Sequence, residues 1–320
     1  MKPSISISDK IKEECCSFTV DNAIVKGIVT RPSSGTPKGG IIFSHGWSGF
    51  RSGPSGILTE FARAFAEQGY LTLRFDYRGR GESQGDGLSA TLTTMADDLV
   101  AACDFMEKHE HIARTALCGL CSGGNVVIGT LKRIPKANNL LLLSVYPFSD
   151  GDAFGRDVHR TFHYLKLYWK KLFRADTWTR FFRGDVKLKN VFNVIFGHFL
   201  KKGSNRKKEG NGTEQKSQEA SNGNSLPKAV KASAVESRTQ SGEAPKKHLA
   251  NLRSDLPGIM IYGTADPDAT AAIKYYGDYI SEHHLPIAIR TIDGANHNFS
   301  SREWRELALQ ILLTHLQGRE

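Results

Sequence analysis

Residues 115–124 read TALCGLCSGG and set two candidate nucleophiles side by side, Cys121 and Ser122. The run before them is apolar and strand-like, while "SGGNVVIGTLKRI" after them has helical character. A thiol or hydroxyl at the start of a helix can attack a carbonyl carbon once a base takes its proton, and the positive end of the helix favours the anion. Such a residue sits at the tip of a sharp strand-to-helix turn, so the residues two before and two after it must be tiny. Centred on Cys121, those neighbours are Gly119 and Gly123; centred on Ser122, they are Leu120 and Gly124, and the leucine would strike the helix. Sterics select Cys121. Three rival readings remain at this level: Cys121 as an inert buried thiol, Ser122 as nucleophile, and Cys118 with Cys121 as a redox CxxC pair.

The elements that must hold this turn are legible along the chain. "EECCSFTV" and "AIVKGIVT" flank Asp21-Asn22, a pair suited to a tight hairpin. "GGIIFSHG" is a short buried strand, followed by a helix with Ile57, Leu58, Phe61 and Phe65 on one face that stops at Gly69. "YLTLRFDY" is a strand, and "TLTTMADDLVAACDFMEKH" predicts a helix presenting Leu92, Met95, Leu99, Cys103 and Met106. Strand "NLLLLSV" follows the nucleophile turn and its helix; strand "PGIMIYG", helix "DATAAIKYYGDYISEHH", strand "IAIRTID" and helix "SREWRELALQILLTHLQ" close the chain. This alternation implies the α/β class: a mostly parallel central sheet with helices on both faces, led by an antiparallel hairpin. Residues 1–150 and 251–320 are expected to form two parts of one core. Between them, 151–200 reads as a basic helical cap and 201–250 as a polar, Gly/Ser/Lys-rich linker expected to be disordered.

Taken in order, the motifs resemble the α/β-hydrolase fold over about residues 13–150 and 255–318. "FSHGWSG" resembles the loop after that fold's third strand, "LRFDYRGRGES" the segment after its fourth, "YGTADP" its acid loop and "DGANHNF" its histidine loop. The resemblance implies Cys121 as nucleophile, Asp266 as acid and His297 as base, with the N–H groups of Trp47 and Ser122 forming an oxyanion hole. The departure is cysteine where serine is usual, a change also found in dienelactone hydrolases. The "GLC" elbow and the cap segment "YLKLYWKKLFRADTWTRFFRGDVKL" further resemble exosortase-system-associated hydrolases. The implied activity is cleavage of esters or thioesters through an acyl-cysteine. The alternatives are acyl transfer from the same intermediate and a catalytically silent binding protein. Asp266 could instead cap the following helix, with Asp268 as a rival acid, and His297 could be structural. His45, Asp76 and Arg78 are expected to fix loops. No HExxH or comparable array is present, and neither metal nor cofactor is expected.

Composition limits the partners. The net charge of +10 is local: residues 156–208 hold 15 Lys/Arg against 3 Asp/Glu, or +12, leaving −2 elsewhere. That segment reads by default as a solvated lid face, and it also suits an anionic acyl substrate or peripheral contact with an anionic membrane; no nucleic-acid recognition module is evident, and nucleic acid is not an expected partner. Five cysteines without a disulfide spacing, and no signal-like or spanning apolar run, lead to an expectation of a cytoplasmic protein, peripheral at the inner membrane surface if the cap docks there.

Overall fold

The computed structural model describes residues 4–47, 49–88, 90–146 and 248–318, all within one compact unit. The expected cap at 151–200 lies outside the described residues, as does the expected linker apart from 248–250. Two of those three join the core: Leu249 is buried, and the His248 carbonyl accepts the Asn251 N–H at 3.2 Å, while Asn251 Nδ2 donates to the Gly129 carbonyl at 3.1 Å. The C-terminal part of the core therefore already includes His248, ahead of the expected boundary at 251.

The strands are β1 (Ser4–Ser6), β2 (Ile11–Val20), β3 (Ala23–Pro32), β4 (Gly40–Ser44), β5 (Leu71–Phe75), β6 (Thr115–Leu120), β7 (Ala137–Leu143), β8 (Gly258–Gly263) and β9 (Ile287–Ile292). The helices are α1 (Ile57–Glu67), α2 (Leu92–Glu110), α3 (Ser122–Thr130), α4 (Ala269–Glu282) and α5 (Arg302–Gln317). Within the described residues the strands form one sheet, ordered β1-β2-β3-β5-β4-β6-β7-β8-β9. Pairings from β1 to β3 and of β3 with β5 are antiparallel; all from β5 through β4 to β9 are parallel.

Local chemistry accounts for these elements. Asp21 and Asn22 both adopt positive φ, 46° and 66°, the backbone that a two-residue hairpin turn requires. Strands β4, β5, β6 and β8 are buried at every position, as a sheet covered on both faces demands. Alternate residues point to opposite faces. Ile41 and Phe43 of β4 join Phe61, Phe65 and Leu312 of α1 and α5, while Ile42 joins Leu99, Val127 and Tyr276 of α2, α3 and α4. One layer therefore holds α1 and α5, the other α2, α3 and α4.

Two details differ from the sequence expectation. Strand β1, a polar and exposed run of three residues, was not anticipated. In α2 the buried face is rotated: Leu92 is exposed, and Asp98, Ala102 and Phe105 lie inside with Met95, Leu99 and Met106. Asp98 is tolerated there because Arg78 donates its backbone N–H to Oδ2 at 2.8 Å and its Nε–H to Oδ1 at 2.5 Å. Burial pushes the Asp98 carboxyl up to about 6 even against that guanidinium. Among the described residues, no helix is long and apolar enough to cross a membrane.

Candidate active site

Strand β6 delivers Cys121 to the C-terminal edge of the sheet, where the chain reverses into α3. Cys121 has φ 56° and ψ −128°, left-handed backbone that a side-chain-bearing residue adopts only when its surroundings enforce it. The enforcing contacts are visible. The Cys121 N–H bonds the Leu143 carbonyl of β7 at 2.8 Å, and the Gly124 N–H bonds the Cys121 carbonyl at 3.0 Å. A Cβ on Gly119 would lie 2.5 Å from the Gly124 Cα, and one on Gly123 only 2.2 Å from the Ser44 carbonyl oxygen. Gly124 is also held closely, since a Cβ there would lie 2.1 Å from Val145 Cγ2. The two glycines chosen from sequence are thus the points where strand, helix and β4 meet, with Gly124 as a third.

Around that bend a buried polar frame locks the parts. Ser44 Oγ donates to the Gly123 carbonyl at 2.8 Å, so the Tyr77 hydroxyl, 2.5 Å away, is the donor to Ser44. Asn125 Nδ2 donates to the Tyr146 carbonyl at 2.8 Å, and its Oδ1 accepts the Tyr276 hydroxyl at 2.9 Å; the Tyr262 hydroxyl donates to the Val145 carbonyl at 2.8 Å. These residues were not singled out from sequence. The signal that could have found Asn125 is its place as the one amide in the apolar run of α3.

The acid and histidine loops are laced together. Ala265 N–H and Thr264 N–H bond the carbonyls of Ala295 and Ile292 at 2.9 and 3.0 Å. A Cβ on Gly263 would lie 2.1 Å from the Ala295 carbonyl oxygen, so glycine permits this approach. Asp266, buried, accepts the Asp268 N–H on Oδ1 at 3.0 Å and His297 Nδ1–H on Oδ2 at 2.7 Å. Asp268, weighed as a rival acid, stands at the N-cap of α4 with no side-chain bond to that helix's N–H groups. With Nδ1 on Asp266, the His297 ring keeps its other nitrogen for the thiol of Cys121, and the two groups shift one another's titration. The Tyr146 ring lies beside the imidazole, centroids 6.0 Å apart.

The electrostatics favour an ion pair. Burial pushes the Cys121 thiol up, yet the hydrogen bond and charge of His297, with hydrogen bonds from the Ser122 N–H and hydroxyl, outweigh it and leave the thiol below its ordinary value. Burial pulls His297 down, but its bonds to Asp266 and Cys121 carry it well above the ordinary imidazole value. The two titrate as a pair, and thiolate with imidazolium is the form favoured between their steps. Alkylation of Cys121 by iodoacetamide is therefore expected to be half-maximal below about pH 8.5, the ordinary thiol value. His297→Ala is expected to move that midpoint above it, because burial then acts unopposed, and to cut alkylation near pH 6 by about tenfold or more. An unchanged midpoint in the variant would detach the histidine from the sulfur.

The other candidates take distinct places. Ser122 is buried, and its hydroxyl accepts the Trp47 N–H at 2.6 Å rather than facing His297. His45 is buried and neutral: burial lowers it to about 4, Nδ1–H donates to the Gly46 carbonyl at 2.8 Å, and Nε2 accepts the Tyr77 N–H at 3.4 Å. Asp76 accepts the backbone N–H groups of Arg51 at 2.7 Å and Glu82 at 3.1 Å and pairs with the Arg51 guanidinium, tying the loop after β4 to the loop after β5. Cys118 lies wholly within the α1/α5 layer, where burial pushes its thiol up, and it is free rather than bridged to Cys121. The redox CxxC reading has no support in that placement. Among the described residues there is no cluster of three or more His, Cys, Asp or Glu that could hold a metal ion.

Comparison with known proteins places this arrangement. An esterase from Pyrococcus furiosus superposes with a TM-score of 0.58 at 15% identity, covering 95% of this chain and 90% of that one. A dienelactone hydrolase from Anabaena variabilis gives 0.56 at 13% identity over 97% and 98%. Est1E from Butyrivibrio proteoclasticus, with bound ferulic acid, gives 0.53 at 15% over 94% and 99%. At such identities the likeness shows the fold. Two Escherichia coli relatives, each described as an uncharacterized 31.7 kDa protein in the traX-finO intergenic region, are 34% identical over 115 residues, which are 35% of this chain and 38% of theirs. The matched stretch thus spans well under half of those relatives. The family model described as serine aminopeptidase, S33, matches residues 35–272, and the chain belongs to that family of α/β-hydrolases.

Proposed function

We propose that the protein hydrolyses carboxylic esters or thioesters through an acyl-cysteine intermediate on Cys121. The observation that carries this reading is a sulfur on a strained elbow whose titration is coupled to a histidine, the Nδ1 of that histidine being fixed 2.7 Å from a buried carboxylate. The thiolate attacks the carbonyl carbon, and the N–H groups of Trp47 and Ser122 receive the charge that develops on oxygen. Imidazolium His297 gives its proton to the departing alkoxide or thiolate, leaving an acyl thioester on Cys121. Neutral His297 then takes a proton from water, which attacks the thioester and releases the acid while the sulfur leaves. Asp266 holds the ring in the Nδ1–H tautomer and stabilises the imidazolium. Amides are disfavoured, because thiolate departs from their tetrahedral intermediate more readily than an unprotonated amine does.

The family name carries serine, whereas Cys121 stands at the elbow of this chain. Ser122 does not fill that role in this reading, because its hydroxyl is engaged by Trp47. Intact-protein mass spectrometry after brief exposure to p-nitrophenyl acetate tests the proposal. The expected result is one acetyl group, mapped to Cys121 and discharged by hydroxylamine. An acetyl group on Ser122, or turnover with no adduct in a rapid quench and full activity after Cys121 is alkylated, would remove it.

A further inference from the structure

The Trp47 N–H, a donor that the proposed chemistry needs for the substrate oxygen, is already taken: Ser122 Oγ sits 2.6 Å from it. An oxygen at that distance from the donor occupies the place where a developing oxyanion must bind. Ser122 supplies the other expected donor through its own N–H, so the residue that offers one donor covers the other. Gly46 keeps the surrounding space narrow but open, since a Cβ there would stand 3.5 Å from Ser122 Oγ and 3.6 Å from the Cys121 Cβ. The side chain is fully enclosed, so this contact is not a surface accident.

We propose that Ser122 is a positioning residue that closes the oxyanion hole in the ligand-free protein, its hydroxyl holding the Trp47 N–H until a substrate carbonyl oxygen displaces it. The inference rests on Cys121 being the nucleophile and adds to it a residue that must yield for acylation. No group is transferred in this step. One N–H exchanges a hydroxyl oxygen for a carbonyl oxygen, and the hydroxyl rotates away. Any acyl compound must therefore compete with an acceptor built into the protein, which selects against weakly basic carbonyl oxygens.

Two measurements test this on the full-length protein. In the wild type, the Trp47 backbone amide, followed in protein labelled with 15N-tryptophan, is expected to exchange with deuterium at least about tenfold more slowly than in Ser122→Ala, as loss of one hydrogen bond predicts. In the same variant, kcat/KM for p-nitrophenyl acetate is expected to rise about tenfold, because the carbonyl oxygen no longer competes with the hydroxyl for the Trp47 N–H. A merely structural loss would lower kcat/KM, and that result overturns the inference. A wild-type Trp47 amide exchanging as fast as an unbonded loop amide overturns it without recourse to any variant. Failure of the nucleophile reading looks different: Cys121→Ala would keep its ester turnover while the Trp47 amide stayed protected.

Discussion

Replacement of Cys121 by alanine is expected to lower kcat/KM for an activated ester by about 10⁴-fold or more, leaving only what the oxyanion donors and substrate binding supply. The size of the loss follows from covalent catalysis, since without sulfur no acyl-enzyme forms and water must attack the ester directly. Cys121 is only partly buried, at the rim of the α1/α5 layer, and alanine keeps its Cβ, so the substitution is not expected to unfold the protein. Cys121→Ser, which keeps the shape, serves as the control for packing. Initial rates with p-nitrophenyl butyrate, alongside a thermal melt, check both points. Turnover within tenfold of wild type in the alanine variant places the nucleophile elsewhere.

The second large effect concerns architecture. Gly123→Ala is expected to destabilise the fold by about 3 kcal/mol or more and to remove activity in whatever folded fraction remains. The added methyl would stand 2.2 Å from the Ser44 carbonyl oxygen and 2.6 Å from that of His45. Both are backbone atoms of the β4 exit and cannot swing aside as a side chain can. Relief requires α3 to move from β4, which breaks the Ser44 Oγ bond to the Gly123 carbonyl and separates the Trp47 N–H from the Ser122 hydroxyl. Urea denaturation should show the midpoint falling with an unchanged slope. An alanine variant as stable as wild type would mean that the helix can slide, and that the elbow is less constrained than its contacts indicate.

How far the sequence led is best seen at particular residues. The elbow could be read because its constraint is steric and local: Leu120 cannot stand where Gly119 does, whatever the rest of the chain is doing. The Asp21-Asn22 hairpin was legible for a similar reason, both residues tolerating positive φ. Pairing of His297 with Asp266 came from resemblance, since 31 residues of chain separate them and no local rule joins them. The face of α2 differs from the one its apolar spacing suggests because Asp98 is buried on it, held by Arg78 from a different loop, and apolar spacing does not register such a pair. Strand β1 gave no signal because it is short, polar and exposed, held by its backbone alone. The Ser122–Trp47 contact was out of reach altogether. Both residues had been chosen for their N–H groups, and the direction of a hydroxyl is decided by packing in three dimensions.

The position of the elbow within the sheet has one more consequence. Strand β6 is flanked by β4 on one side and β7 on the other, and the bend is clasped by backbone contacts from both neighbours. Elements so enclosed open only when the whole domain opens, whereas fraying is confined to margins such as β1. The Cys121 sulfur is therefore carried by the last part of the described core to loosen, and warming or mild denaturant should erode the margins of the sheet long before it exposes that sulfur.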